Sequence, residues 1–250
     1  MALSYTSVIL AKSNNQSGEA LQKNITRSLL PVANHSLIAE IILKYYSRNG
    51  LTIMASSEAE YGFIASTAKS ILGSSPYLVL PIKQDTKGAL ATLGWTLSNL
   101  PKNCPILVAP SDSLVLCDID DFVRKMDKLQ TDCGIIVFSS SNPEYSYVRT
   151  LKETVTEIAE KVIISNKASA GVYYFKDSDI LCKCLEWAIL NRITTDGNYY
   201  LAPALNYLVS EGKLVSTLEI NTSEYLRFRT EEEFIESLTR MEGKYENDQY

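Results

Sequence analysis

The chain has a single histidine, His35, and its five cysteines (Cys104, Cys117, Cys133, Cys182 and Cys184) contain no paired C-x-x-C spacing. A zinc site built from Cys and His is therefore poorly supported. Cys182 and Cys184 lie two apart in a segment of helical period, where such neighbours point to different sides, so all five read as reduced core thiols. Catalysis through a histidine base would have to use His35, which stands in a polar Asn34-His35-Ser36 turn. Basic residues form no run or stripe, and 24 Lys and Arg against 29 Asp and Glu give a net charge of −5. That balance argues against a duplex nucleic-acid partner but leaves anionic small ligands open. Long apolar runs are missing too, since stretches such as Ile106–Ala109 fall far short of the ~18 residues of a membrane span. Residues 1–10 lack the basic and then apolar pattern of a secretory leader, so cytoplasmic residence and no membrane span are expected. There is no repeat and no Pro-, Gly- or Ser-rich linker, which predicts one domain over residues 1–241 and a polar tail over 242–250.

What is present suits a globular protein. A chain of 250 residues, 46% hydrophobic and 21% charged, has enough material for a sizeable core, burying roughly 70–75% of its unfolded surface. Apolar runs of strand length alternate with helix-period segments through the first half, the signature of βαβ units. Strands are predicted at 7–11, 51–55, 77–80 and 106–109, with helices at 36–47, 58–71, 88–99 and from Asp118 onward. The Asn49-Gly50 pair is expected to close the first helix. Strands at 134–139, 147–151, 155–158 and 171–175 follow with little between them, so this part is predicted to be antiparallel or mixed. Helices at 178–190 and 199–210, a strand at 214–219 and a capping-box helix at Thr230-x-x-Glu233 complete an α/β domain with a mixed, mostly parallel sheet. In such sheets ligands sit beyond the carboxyl ends of the strands, so the loops at 12–27, 81–88 and 110–118 are expected to share one crevice.

Three short motifs in or near that crevice carry possible chemistry. Asp112 directly follows a buried strand, where a carboxylate can hold a divalent cation against phosphate oxygens; it is equally an ordinary turn or cap residue. Thr86-Lys87-Gly88-Ala89 joins a strand to a helix, where a glycine and backbone N–H groups allow close approach of a flat or anionic ligand, or simply cap the helix. Glu160-Lys161 follows a strand and suits hydroxyls and a phosphate, or forms a plain exposed ion pair.

In order along the chain, Val8–Ala11, Arg27-Ser28-Leu29-Leu30-Pro31-Val32, Thr86–Ala89, Ser111-Asp112, Val155–Lys161, Ala170–Phe175 and Gly197-Asn198-Tyr199-Tyr200 resemble the sugar-1-phosphate nucleotidyltransferase family. The match runs over nearly the whole chain and is nearest to the short bacterial form associated with capsule and surface-polysaccharide synthesis. The resemblance implies a single-domain, Rossmann-like (GT-A-like) three-layer sandwich. The implied reaction condenses a nucleoside triphosphate with a sugar phosphate, with Mg²⁺, and releases pyrophosphate; a homodimer is a further implication. By position, Arg27 replaces a lysine and neutralises phosphate charge. Ala11, Lys12, Thr86, Gly88 and Ala89 lie at the nucleotide, Asp112 holds Mg²⁺, and Ser146, Glu160, Lys161 and Gly171 take the sugar phosphate.

Two elements depart from that pattern. The glycine-rich triphosphate loop is replaced by Lys12-Ser13-Asn14-Asn15-Gln16-Ser17-Gly18, and its arginine is missing. The second metal-binding Asp is replaced within Leu226-Arg227-Phe228-Arg229-Thr230; arginine cannot ligate Mg²⁺ but could stand in for its charge. Glu224 and Asp196 remain as candidate second ligands. The readings left open are an active nucleotidyltransferase, a catalytically lapsed homologue that binds or regulates, and a GT-A glycosyltransferase using Asp112 with the nearby Asp118-x-Asp120.

Overall fold

The computed structural model describes residues 4–11, 27–32, 34–84 and 86–247, with side chains through Met241. The first half is a run of βαβ units. Strand β1 (Thr6–Ala11) leads into a two-residue pair, β2 (Pro31–Val32) and β3 (His35–Ser36), and then helix α1 (Leu37–Tyr45). Strand β4 (Thr52–Ser57), helix α2 (Tyr61–Leu72), strand β5 (Tyr77–Ile82) and helix α3 (Ala89–Gly94) follow. Next come β6 (Ile106–Pro110), the short β7 (Ser113–Val115) and α4 (Ile119–Lys128). The second half holds β8 (Cys133–Ser139), β9 (Ser146–Leu151), β10 (Thr154–Glu160), β11 (Lys167–Phe175) and α5 (Ser178–Leu190). It ends with α6 (Leu201–Ala204), α7 (Asn206–Ser210), β12 (Val215–Ile220), β13 (Tyr225–Arg227) and α8 (Glu231–Asn247).

The main sheet has the order β5-β4-β1-β6-β11-β8-β12-β10-β9. Strands β5, β4, β1 and β6 pair in parallel, because each βα connection returns the chain to the same end of the sheet. Strand β11 enters antiparallel between β6 and β8, β12 pairs in parallel with β8, and β10 and β9 are antiparallel. Strand β9 also returns to β11, at Ala168 opposite Tyr147. The α/β architecture with a mixed sheet is the one the residue pattern predicts.

Alternation along the strands divides the core into two layers, as the period-2 geometry of a sheet requires. Ile9, Met54, Leu107, Ile136 and Tyr174 face one layer with Ile38 and Ile42 of α1 and Phe122 and Met126 of α4. Val8, Ile53, Val108, Val137 and Tyr173 face the other, with Leu90 and Leu93 of α3 and Leu181 and Leu185 of α5. The result is a three-layer sandwich.

Several boundaries differ from the sequence expectation for identifiable reasons. Helix α1 ends at Tyr45, where the Tyr46 N–H still reaches the Ile42 carbonyl, so the Asn49-Gly50 pair lies beyond the cap. The helix expected over 199–210 is split into α6 and α7. Its start at Leu201 rather than 199 follows from Pro203, which has no N–H for the carbonyl of Tyr199; that oxygen instead accepts from Leu90 N–H at 3.1 Å. Asp118 is the N-cap of α4, accepting from Asp121 N–H at 2.9 Å, and Asp120 accepts the Tyr5 hydroxyl at 3.0 Å. Both acids of Asp118-x-Asp120 are thus engaged in holding the fold. Helix α8 opens with the expected capping box: Thr230 Oγ1 accepts from Glu233 N–H at 3.2 Å, and Glu233 Oε2 from Thr230 N–H at 3.1 Å.

Tyr45 ties the two ends of the site region together. Its ring is fully buried, and its hydroxyl accepts from Val115 N–H at 3.2 Å beneath β7. Tyr45→Phe should leave that buried N–H without its partner and cost about 1–3 kcal/mol of unfolding free energy in urea titration. An unchanged midpoint would show that this bond does not support β7.

Candidate active site

The chain turns sharply after β6, at Pro110-Ser111-Asp112, and comes back as β7. Strand β7 pairs antiparallel with β13, placing Arg227 opposite Ser113, and Phe228 N–H donates to the Asp112 carbonyl at 2.9 Å. This ladder brings Arg229 to the Asp112 carboxylate. Leu226 and Phe228 are fully buried on one side of the strand, so Arg227 and Arg229 share the other. Arg229 Nε donates to Asp112 Oδ2 at 2.6 Å, and Arg27 Nη1, from the short 3-10 turn Arg27–Leu29, lies 3.7 Å from the same oxygen. Arg227, itself buried, bridges Glu144 Oε2 and Glu233 Oε1, both at 2.9 Å, and covers the Tyr145 ring at 4.8 Å.

The second half of the cluster hangs on β9, β10 and β11. Glu160 ends β10 directly opposite Ser146, the first residue of β9, whose hydroxyl donates to its carboxylate. Lys161 follows in a left-handed conformation (φ 57°), with its N–H on the Tyr145 carbonyl at 3.1 Å. Its Nζ meets Asp196 Oδ2 at 2.6 Å and sits 5.7 Å from the centre of the Tyr200 ring. Gly171 forms a bulge in β11 between Ser169 and Tyr173, at φ 78° and against Pro110. A Cβ there would stand 3.4 Å from the proline, an ordinary contact, so the left-handed backbone rather than space selects glycine.

Electrostatics give the two carboxylates opposite characters. Burial pushes the Asp112 carboxyl up, but the Arg229 and Arg27 charges and the Arg229 hydrogen bond outweigh it and hold the group below its usual range. Burial pushes Glu160 up and wins, although the Ser146 hydroxyl, Lys161 and Arg229 oppose it. Tyr145 joins the two halves into one site, its ring under Arg227 and its carbonyl accepting from Lys161 N–H.

The loop residues expected at the nucleotide lie on the far side of the Thr195–Tyr200 turn. Gly88 (φ 96°) caps α3, and a Cβ there would stand 2.3 Å from the Tyr199 carbonyl oxygen. The close approach that glycine permits is thus made by protein backbone, with Tyr199 N–H on the Lys87 carbonyl at 2.8 Å. Thr86 shares a 2.6 Å hydrogen bond with Thr92, and Ala89 starts α3 on the surface. Thr86, Lys87, Leu90, Trp95, Ile189 and Tyr199 line a cavity of about 280 Å³ that none of Arg27, Asp112, Glu160 or Lys161 reaches. Ala11 is buried at the carboxyl end of β1, and Lys12 lies outside the described residues.

The structure brings Arg27, Asp112, Ser146, Glu160, Lys161 and Gly171 to one end of the sheet. It adds Glu144, Tyr145, Tyr200 and Glu233, and gives partners to Arg227, Arg229 and Asp196. The alternation Leu226-Arg227-Phe228-Arg229 was the available signal for the arginine pair. Nothing local marks Tyr145 or Glu144, which arrive through the β9 register.

The chain matches the nucleotidyl transferase family model over residues 20–208, well over half its length, and it belongs to that family. Its fold is shared with a nucleoside-diphosphate-sugar pyrophosphorylase from Vibrio cholerae RC9 (17% identity, TM-score 0.72, covering 94% of this chain and 99% of that one). It is shared equally with a structure described as a glucose-1-phosphate thymidylyltransferase from Bacillus anthracis, in complex with a sucrose (16% identity, TM-score 0.72, 94% of each chain). An inositol-1-phosphate CTP transferase from T. maritima has 13% identity and a TM-score of 0.73, with coverage of 97% and 98%. No curated protein sequence matches the chain.

Members of this family typically use a divalent metal. The residues at Asp112 do not fit one. Mg²⁺ favours several hard oxygen ligands, whereas the carboxylate here faces two guanidiniums. The candidate second ligands are engaged elsewhere, Asp196 with Lys161 and Glu224 in a capping box with Asn221. Among the described residues no group of three or more His, Cys, Asp or Glu side chains could hold a metal ion.

Two consequences can be measured. Gly171→Ala should cost about 1–2 kcal/mol of stability, from the left-handed backbone alone; a thermal unfolding midpoint equal to wild type would contradict that geometry. Glu160 binds its proton more tightly folded than unfolded. Stability should therefore fall as pH rises from the ordinary carboxyl range through its raised folded pKa. Glu160→Gln should flatten that part of the stability profile, and an unaltered slope would place the titration elsewhere.

Proposed function

We propose that the chain is a sugar-phosphate nucleotidyltransferase, joining a nucleoside triphosphate to a sugar phosphate and releasing pyrophosphate. The observation that carries this reading is the convergence of Arg27, Arg229 and Lys161 at one end of the sheet, beside Asp112 and Glu160. A phosphate oxygen of the sugar phosphate attacks the α-phosphorus. A new P–O bond forms as the bond to the β-phosphate breaks, and pyrophosphate leaves with the electron pair. The nucleophile is already an anion at neutral pH, so no protein base is needed, which suits a chain with one histidine. Catalysis is then alignment and charge neutralisation.

In this reading Arg27 and Arg229 face the triphosphate. Arg27 brings a planar fork to the place of a lysine. Of the residues expected at the nucleotide, Ala11 and Lys12 keep that role, whereas Thr86, Gly88 and Ala89 lie beyond the Tyr199 backbone, which fills the approach at Gly88. Lys161 meets the sugar phosphate, exchanging Asp196 for phosphate oxygens, while Glu160 and Ser146 read sugar hydroxyls beside Gly171. The Mg²⁺ expected at Asp112 is not part of the proposal, because that carboxylate is already neutralised by arginine. The product suits surface-polysaccharide synthesis in the cytoplasm, with the chain acting as a homodimer and without a nucleic-acid partner. Among the described residues no helix is long and apolar enough to cross a membrane.

A second reading, a homologue that binds these ligands without transfer, is favoured by one observation: Asp112 is held in a 2.6 Å ion pair with Arg229. Pyrophosphate release, assayed with each common nucleoside triphosphate against a panel of sugar 1-phosphates, separates the two. Release with one pair is the outcome expected of the transferase, while ligand binding without release would establish the second. Lys161→Ala should raise KM for the sugar phosphate at least tenfold and change that for the triphosphate little; the reverse split would mean that the two substrates have been exchanged.

A further inference from the structure

We propose that the Arg229 guanidinium occupies the position of a divalent cation at Asp112, so that the chain holds the phosphates of its nucleotide on a fixed arginine pair and needs no protein-bound metal. This rests on the nucleotidyltransferase reading of the site and specifies how the triphosphate is held.

Charge comes first. One carboxylate with two guanidiniums, Asp112 with Arg27 and Arg229, carries the same net charge of +1 as one carboxylate with a doubly charged ion. The site thus offers a phosphate group the same sign and size of charge, delivered by side chains. Ligand availability points the same way. Glu233 is taken by Arg227 and by the N–H groups of Arg229 and Thr230, Glu160 by Ser146 and Asp196 by Lys161. A cation arriving at Asp112 would have to displace an arginine and then find its remaining ligands in water.

The arginine is also held in place to act. Phe228 N–H is bonded to the Asp112 carbonyl, and Arg229 N–H to Glu233 Oε2 at 3.0 Å, so the backbone on both sides is fixed. Only Nε is spent on Asp112. Nearly half of the side chain is exposed (45%), and none of the described residues bonds its two Nη groups. A guanidinium presents five donors in a planar fork, so one edge can stay on the carboxylate while the other takes two phosphate oxygens. The carboxylate then serves as the anchor of the arginine.

The test is titration calorimetry of the wild-type chain with ATP, GTP, CTP, UTP and dTTP, each in EDTA and in Mg²⁺, alongside Mn²⁺ binding followed by electron paramagnetic resonance. The inference expects one triphosphate to bind in EDTA within about threefold of its affinity in Mg²⁺, and no Mn²⁺ site that Asp112→Asn abolishes. Arg229→Asp, a change at an exposed side chain, should lose at least tenfold in EDTA, regain affinity in Mg²⁺, and acquire an Mn²⁺ signal that the wild type lacks. Wild-type binding that vanishes in EDTA and returns with Mg²⁺ would overturn the arginine assignment and leave the transferase reading standing. Absence of binding by every triphosphate in both conditions would overturn both.

Discussion

The pairing of two three-residue strands, Ser113–Val115 with Tyr225–Arg227, is the constraint on which the site depends. On one side of it lies the turn after β6, whose direction is held by the Tyr45 hydroxyl under Val115 and by Phe228 N–H on the Asp112 carbonyl. On the other side the chain passes directly into the capping box of α8. Because the ladder is antiparallel and the side chains alternate, burying Leu226 and Phe228 forces Arg227 and Arg229 to the opposite side. Hydrophobic burial in one layer thus fixes the electrostatics of the cleft.

That cleft contains two carboxylates shifted in opposite directions. Asp112 is partly buried yet held ionised by two guanidiniums, whereas Glu160, next in sequence to Lys161, is pushed toward protonation because burial outweighs its partners. The difference follows from geometry. Arg229 bonds Asp112 directly, but Lys161 turns away from Glu160 on a left-handed backbone and bonds Asp196. An ionised acid fixes a cation in place, whereas a carboxyl whose ionised form is less favoured, and which already accepts from the Ser146 hydroxyl, suits hydroxyl recognition.

Much of the architecture was legible in the sequence because buried strands and amphipathic helices announce themselves by periodicity. Helix α5 runs over the expected Ser178–Leu190, and β6 extends the expected run by one residue. Asp112 and Glu160-Lys161 were found because they sit at strand ends, where α/β folds place ligands. What was not legible depends on pairing between distant segments. The partner of Ser146 is set by the β9–β10 register, and that of Lys161 by a turn more than thirty residues later. Pro203 was visible, but its effect required knowing that Leu90 would claim the carbonyl its missing N–H leaves open. The substituted metal ligand followed from the family resemblance alone, whereas the contact of its replacement with Asp112 emerged only from the β7–β13 ladder.

Strand β11 has a consequence of its own. Its first residues pair with β9 and its last with β6, on either side of the Gly171 bulge. The Asp112 corner and the Ser146–Glu160 edge are therefore suspended from one unbroken length of backbone. A change in their separation has to pass through that strand. The spacing between the groups that face two reacting phosphates is set by the bulge itself, like the gap of a fixed calliper.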